Sequence, residues 1–248
     1  MTRGHAWCEA VPHAHATTIQ VEITSEATPA LDAADIARAD VVWTRLQERN
    51  PRLFDGSILC FTSADLTRSA VTASRSSYKW HAVGDEVSTG LRLLAVTGVL
   101  MMRGSDGRDR VHLGRRSAQS HHDPGLWEFG PSGGLSPPPS SRLTFTDILA
   151  DLHREIVEEC GVAMDLREAA AVALCHDSAA RSVDIVVLAR AMTTTADVPS
   201  PIDGEEHWEY EAAAWVAVDD LAAFASRHAC IATTHAIAEH LGWLPHHA

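Results

Sequence analysis

The sequence predicts an α+β protein built on a mixed sheet, and three observations carry that reading. Strand-like segments recur along the chain, at 18–24, 91–102, 110–117, 169–176 and 183–191. Longer segments at 32–48, 144–160 and 222–240 carry apolar residues at helical spacing instead. No internal repeat is present, and 248 residues suffice to bury a sizeable core, as one large domain or two small ones.

The elements follow in order. Residues 1–17 are polar and rich in His and Ala, which predicts a loosely ordered terminus. Apolar Ile19, Val21 and Ile23 alternate with polar residues, so 18–24 is a strand. Beyond Asp32, Ile36, Val41, Trp43 and Leu46 keep helical spacing, and Asn50-Pro51 stops the helix because proline restricts the residue before it. A turn at 50–56 and a short strand follow. Leu91 to Met102 is a nearly continuous apolar run, as expected of a buried strand. Ser105-Asp106-Gly107 then supplies a hairpin turn that returns the chain at 110–117. The segment 119–139, rich in Pro, Gly and Ser, is too long for a plain connector and is expected to border a site. Thr144-Phe145-Thr146-Asp147 offers N-cap chemistry to a helix with an apolar stripe of Leu149, Leu152 and Ile156, and Gly161 ends it. Asp184, in the strand at 183–191, faces either solvent or a site. The helix at 222–240 is expected to break near Ala229.

Composition excludes several classes. A net charge of −13 argues against non-specific binding to nucleic acid, and a polyanionic substrate would need a metal or local basic residues. Cys8, Cys60, Cys160, Cys175 and Cys230 are odd in number, scattered and without a CxxC pair. That pattern predicts reduced thiols in a cytoplasmic protein and no zinc site. No apolar run approaches 18 residues and no signal-peptide core is present, so neither membrane nor export is expected.

The chemistry concentrates in Arg154-Glu155-Ile156-Val157-Glu158-Glu159-Cys160-Gly161-Val162. At about 100° per residue, Glu155, Glu158 and Glu159 project within an arc of about 100°. Asp151 and Asp147 extend the acidic stripe. Like charges at i,i+4 cost a helix a few tenths of a kcal/mol per pair, roughly. A hard divalent cation offsets such a stripe, and the carboxylates are then expected to face outward. Taken alone, Glu158-Glu159 would read as a solvated face.

The whole string resembles the second half of the Nudix box, the signature of hydrolases that cleave nucleoside diphosphates linked to another group. The resemblance implies a Nudix-type α/β/α sandwich with a mixed sheet, at 86–248, and an N-terminal extension, 1–85, packed on it. It implies Mg²⁺ or Mn²⁺ held by Glu155, Glu158, Glu159 and the backbone of Gly134, with Arg154 orienting a carboxylate. A strand at 213–221 would lead into the closing helix. The first half of the box departs from the pattern. Ser140 and Thr146 occupy the places of its glycine and glutamate, and the Gly133-Gly134 lead-in after Trp127-Glu128-Phe129 stands six residues too early. Without that glutamate, Arg154 is expected to find a partner on a neighbouring loop, and Asp151 to join the metal shell.

Asn50-Pro51-Arg52-Leu53-Phe54-Asp55-Gly56 and Ser76-Ser77-Tyr78-Lys79 resemble the N-terminal region of the branch that hydrolyses UDP-sugars. Substrate contacts are expected from Tyr78, Lys79, Arg115 and Arg116, the arginines because guanidinium matches phosphate geometry. The general base stays open among a box glutamate and Glu205, Glu206, Glu209 or Glu211, with His207 a weaker choice. The expected partner is a small nucleoside diphosphate compound, and a homodimer is an admissible assembly. The glutamate triplet favours hydrolysis. A nucleotide-binding or regulatory module without hydrolysis, and an isomerase of prenyl diphosphates, are the alternatives.

Overall fold

The computed structural model of the chain describes residues 5–120, 122–160, 166–191 and 209–245. Among them, twelve strands join in one open mixed sheet. One path through it runs β1 (Ala6–Ala10), β10 (Leu166–Asp177), β11 (Ser182–Ala191), β5 (Leu93–Arg103), β3 (Ser57–Asp65), β4 (Ala70–Ser77), β2 (Gln20–Glu26) and β9 (Arg142–Leu143). A branch leaves β5 through β6 (Asp109–Arg116), which pairs with β7 (Trp127–Phe129) and β12 (Tyr210–Ala217). The short β8 (Ser132–Gly134) also pairs with β5. β11 runs parallel to β5, whereas β10, β3 and β6 run antiparallel to their neighbours.

The alternation of side chains along β5 builds a core on each face. Leu94, Val96, Leu100 and Met102 pack with Ile148, Leu152 and Ile156 of α3 (Phe145–Cys160). Fully burying each such aliphatic is worth about 1.5–3 kcal/mol. Val99 and Met101 point the other way, towards Leu221 and Phe224 of α4 (Leu221–Arg227) and Ile237 of α5 (Ala232–His240). Helices therefore cover both faces, and the closing helix is indeed interrupted near Ala229. A third cluster joins α1 (Ala33–Arg49) to α2 (Tyr78–Ala82) through Val42, Trp43, Leu46 and Ala82.

Local chemistry sets the helix starts. Asp32 caps α1 by accepting from the Asp35 amide at 2.8 Å. Thr144 and Asp147 form a reciprocal box before α3: the Asp147 carboxylate accepts from the Thr144 amide at 2.8 Å, and the Thr144 hydroxyl accepts from the Asp147 amide at 3.4 Å.

One expectation is overturned here. Within 1–17, residues 6–10 are ordered as β1, an edge strand whose register runs Ala6↔Asp177 to Ala10↔Ala173. The strand itself, Ala-Trp-Cys-Glu-Ala, is mostly apolar, and pairing with β10 orders it. No helix among the described residues is long and apolar enough to cross a membrane.

Candidate functional site

A cavity of about 260 Å³ opens on the face of β5 that carries Leu93, Ala95 and Thr97. α2 contributes Tyr78 and His81, β6 contributes Arg116, and β7 contributes Glu128. The glycines of β8, Gly133 and Gly134, form another wall, opposite Asp177, Ser182 and Asp184. The long segment 119–139 thus borders the site, through His122, Asp123 and the two short strands it contains.

On the far side of β8 lie the acids of α3. The helix presents Glu155 and Glu159 inward, each less than a tenth exposed, while Glu158 stays at the surface. That corrects the expectation that all three face outward. The helix arc is as the spacing dictates, but β8 and Tyr210 cover part of it. Any Cβ at Gly133 would overlap the Glu155 carboxyl, so that glycine is what admits the side chain. Tyr210 lies beside both Glu159 and Glu128 and pulls the pKa of each down, against the effect of burial. Its ring fills a slot with no room for a Cβ on Gly114 or Gly130.

Electrostatics follow from this crowding. Burial raises the Glu155 pKa to about 7, with Arg154 opposing and Glu158 and Glu209 adding to the rise. Burial also pushes Glu159 well above the ordinary carboxylate range, reinforced by Glu209, Glu128 and Glu155. Glu128 is raised by burial too, against the pull of Arg116. The Arg116 guanidinium sits 2.6 Å from Glu128 and donates to the His122 carbonyl at 2.9 Å. Burial, the largest single influence, opposes its charge, but Glu128, Tyr210 and Glu159 together outweigh it, so its pKa is raised. Asp184, buried beside Asp177, reaches about 7 by burial first and by the Asp177 charge second.

Arg154 finds its partners on its own helix, not on a neighbouring loop as expected. It lies 2.7 Å from Glu155, 3.0 Å from Glu158 and 3.6 Å from Asp151. Residues 151 and 158 flank it one turn away on either side. Asp151 accepts from the Ser136 amide at 2.9 Å and so ties the segment after β8 to the helix. Arg115 points away from the cavity to Glu211, 3.0 Å away, because consecutive strand residues face opposite sides. Lys79 is bound to Asp40 of α1 at 2.5 Å and lies against the Trp80 ring. Of the basic and aromatic residues anticipated as contacts, Arg116 and Tyr78 line the cavity, and Arg115 and Lys79 do not.

Glu128, Gly133 and Tyr210 escaped the sequence reading as site residues. Glu128 had a signal, its place directly ahead of the Gly-Gly pair, whereas Tyr210 had only acidic neighbours. Glu205, Glu206 and His207 lie outside the described residues. Glu209 couples to both buried acids of α3, while Glu211 is engaged by Arg115.

Among the described residues, no three His, Cys, Asp or Glu side chains converge tightly enough to hold a metal ion as they stand. The donor chemistry nevertheless suits a hard divalent cation. The acids offer only carboxylate oxygens, they repel one another, and the buried Glu159 Oε2 has no hydrogen-bond partner.

No protein-family model matches the chain, and no curated protein matches it significantly. Similar solved structures include a Nudix hydrolase from M. smegmatis, 18% identical, covering 63% of this chain and 90% of that one, with a TM-score of 0.42. The Nudix domain of Shewanella oneidensis NrtR, solved with ADP ribose, is 18% identical and covers 61% and 86%, with a TM-score of 0.39. The C. elegans Ap4A hydrolase is 15% identical and covers 61% and 95%, with a TM-score of 0.38. These overlays are partial.

Proposed function

We propose that this protein is a divalent-metal-dependent pyrophosphatase that hydrolyses a nucleoside diphosphate linked to another group, with a UDP-sugar as the favoured substrate. One observation carries the reading: Gly133 separates the buried carboxylate of Glu155 from a cavity lined by Arg116 and Tyr78. An acidic centre and a cation-bearing pocket on two sides of a single residue suit a phosphoanhydride whose nucleoside lies in the pocket.

Glu155, Glu158 and Glu159 would hold Mg²⁺ or Mn²⁺, with the Gly134 backbone and Asp151 in support. When bound, the cation would offset the charge of the diphosphate and lower the pKa of a coordinated water. The remaining work falls to the chain. Arg154, clamped between Asp151 and Glu158, fixes the Glu155 carboxylate. Arg116, anchored on Glu128, presents a guanidinium towards phosphate oxygens. Tyr78 offers a ring face to the base, and Glu209, whose charge acts on both Glu155 and Glu159, is assigned the proton of the attacking water. Arg115 and Lys79, engaged elsewhere, are not assigned a part. The N-terminal resemblance and the entry of Tyr78 into the cavity support the UDP-sugar reading, and we place the protein in the cytoplasm.

The test is a screen of nucleoside diphosphate compounds with Mg²⁺ or Mn²⁺, products being identified by mass. Release of UMP and a sugar phosphate from a UDP-sugar is the expected result. Full turnover in excess chelator would overturn the metal assignment, and binding without product would favour a regulatory module.

A further inference from the structure

The N-terminal strand carries a second piece of chemistry, remote from the acidic centre. Cys8 of β1 and Cys175 of β10 are direct cross-strand partners, although the chain separates them widely. The hydrogen bonds on either side define the kind of pair they form. Ser178 donates to the His5 carbonyl at 3.2 Å, and Val11 donates to the Val172 carbonyl at 3.0 Å. Hydrogen-bonded and non-hydrogen-bonded pairs alternate along an antiparallel ladder. Counting in steps of two, Trp7/His176 and Glu9/Leu174 fall in the hydrogen-bonded class, and Cys8/Cys175 in the other. In that class Cα atoms stand about 4.5 Å apart and side chains are closest. Disulfides span Cα separations of about 4.4–6.8 Å, so this pair lies within reach with little backbone movement.

Two further observations fit. On the opposite face of the same two strands, the Trp7 ring stacks on His176 with centroids 4.0 Å apart and planes within 4°, which holds the register. The two sulfurs also differ in access, Cys8 being half-buried and Cys175 fully buried. A side-chain hydrogen bond with Cys8, and then burial, keeps the Cys175 thiol protonated.

We propose that Cys8 and Cys175 form a reversible disulfide, an oxidation-sensitive clasp that fastens the N-terminal strand to β10. With a peroxide as oxidant, the Cys8 thiolate attacks one peroxide oxygen. The O–O bond breaks, the leaving oxygen departs as water after taking up a proton, and Cys8 becomes a sulfenic acid. The Cys175 sulfur then attacks the Cys8 sulfur; the S–O bond breaks, and hydroxide leaves as water with the Cys175 proton. Two thiols are oxidised to one disulfide and the peroxide is reduced to water. A thiol pair with one accessible member and one adjacent buried member suits this order of attack. The clasp would bear on the cavity as well, since β10 ends at Asp177, whose carboxylate accepts from the Ala179 and Ala180 amides at 2.7 and 2.9 Å.

The test uses the full chain with hydrogen peroxide, followed by peptide mapping and thermal melting with and without reductant. A cross-linked peptide containing Cys8 and Cys175 is expected, with a Tm about 5–15 °C higher that a reductant reverses. Cys8→Ser, a change at the more accessible position, should show neither effect, while Cys60, Cys160 and Cys230 serve as internal controls. Oxidation of Cys8 to a sulfinic acid with Cys175 still free would overturn the proposal. So would a disulfide to another cysteine or a second chain, or a cross-link that leaves the Tm unmoved.

Discussion

Arg116, its side chain 24% exposed, and the buried Glu128 form an ion pair at 2.6 Å, and both side chains are walls of the same cavity. A pair in that position has two duties, to neutralise each other and to present one cation to a ligand. Removing one partner from a buried pair costs about 3–5 kcal/mol, because the other charge is left uncompensated. Arg116→Ala should therefore lower stability by that order in chemical denaturation. Arg116→Ala combined with Glu128→Gln should recover much of the stability without restoring substrate affinity. Arg115→Ala, at a side chain turned to Glu211, should leave KM within about twofold, as expected of an exposed pair. Equal effects on KM at the two arginines would contradict the assignment.

The two glycines of β8 should respond differently to alanine. At Gly133 the new methyl would overlap the Glu155 carboxyl, the end of a flexible side chain, so Glu155 would move. At Gly134 the nearest atom is Leu93 Cδ1 at 3.5 Å, an ordinary contact. Gly133→Ala should lower kcat by about 10–100-fold with an unchanged circular dichroism spectrum, on the scale seen when a group orienting a metal ligand is disturbed. Gly134→Ala should stay close to wild type. The ratio of the two kcat values is the measurement.

Glu159 opposes stability in the metal-free protein, because its buried carboxyl faces Glu155, Glu128 and Glu209. Glu159→Gln should raise the Tm in chelator and abolish most activity. It should also remove the Tm increase that Mn²⁺ produces in the wild type. A variant that melts lower and still responds to Mn²⁺ would show that this carboxylate is structural.

Asp184 gives a pH signature that does not involve the acidic centre. It is held at about 7 in the fold, above its ordinary 3.8, by burial and by Asp177, with Glu128 adding and the Ser182 and Thr97 hydroxyls opposing. Arg92 is the cation coupled to it. The folded state therefore binds this proton more tightly than the unfolded state does. Its contribution to stability is fully present below about pH 4 and is lost as pH rises through about 7. Asp184→Asn escapes that loss. Melting both proteins from pH 5 to pH 8 should show the variant gaining on the wild type as pH rises, and a constant difference would refute the assignment.

Much of this architecture is legible in local chemistry. The Thr144/Asp147 box, the Leu152 and Ile156 stripe and the Asp106-Gly107 turn follow from residues close in sequence, and the structure places them where spacing puts them. What covers the acidic arc is a different matter. The place of Glu155 depends on Gly133, and Glu159 lies under the influence of Tyr210, partners brought in from other segments. Helical spacing specifies a direction but not the neighbour that lies in it. The same limit hid β1, a five-residue strand inside a His- and Ala-rich terminus that only the edge of β10 orders, and it hid the meeting of Cys8 with Cys175.

The slot that receives Tyr210 restricts how this sequence can drift. At Gly114 the nearest ring atom would stand 2.6 Å from a new Cβ, and at Gly130 the phenol occupies that volume outright. A larger side chain at either glycine is compatible with the fold only if position 210 shrinks in the same lineage. Loss of the ring would in turn remove a hydroxyl that lowers the pKa of both Glu128 and Glu159. Positions 114, 130 and 210 should therefore change together or not at all among descendants that keep this centre, and an alignment of them would show it as covariation.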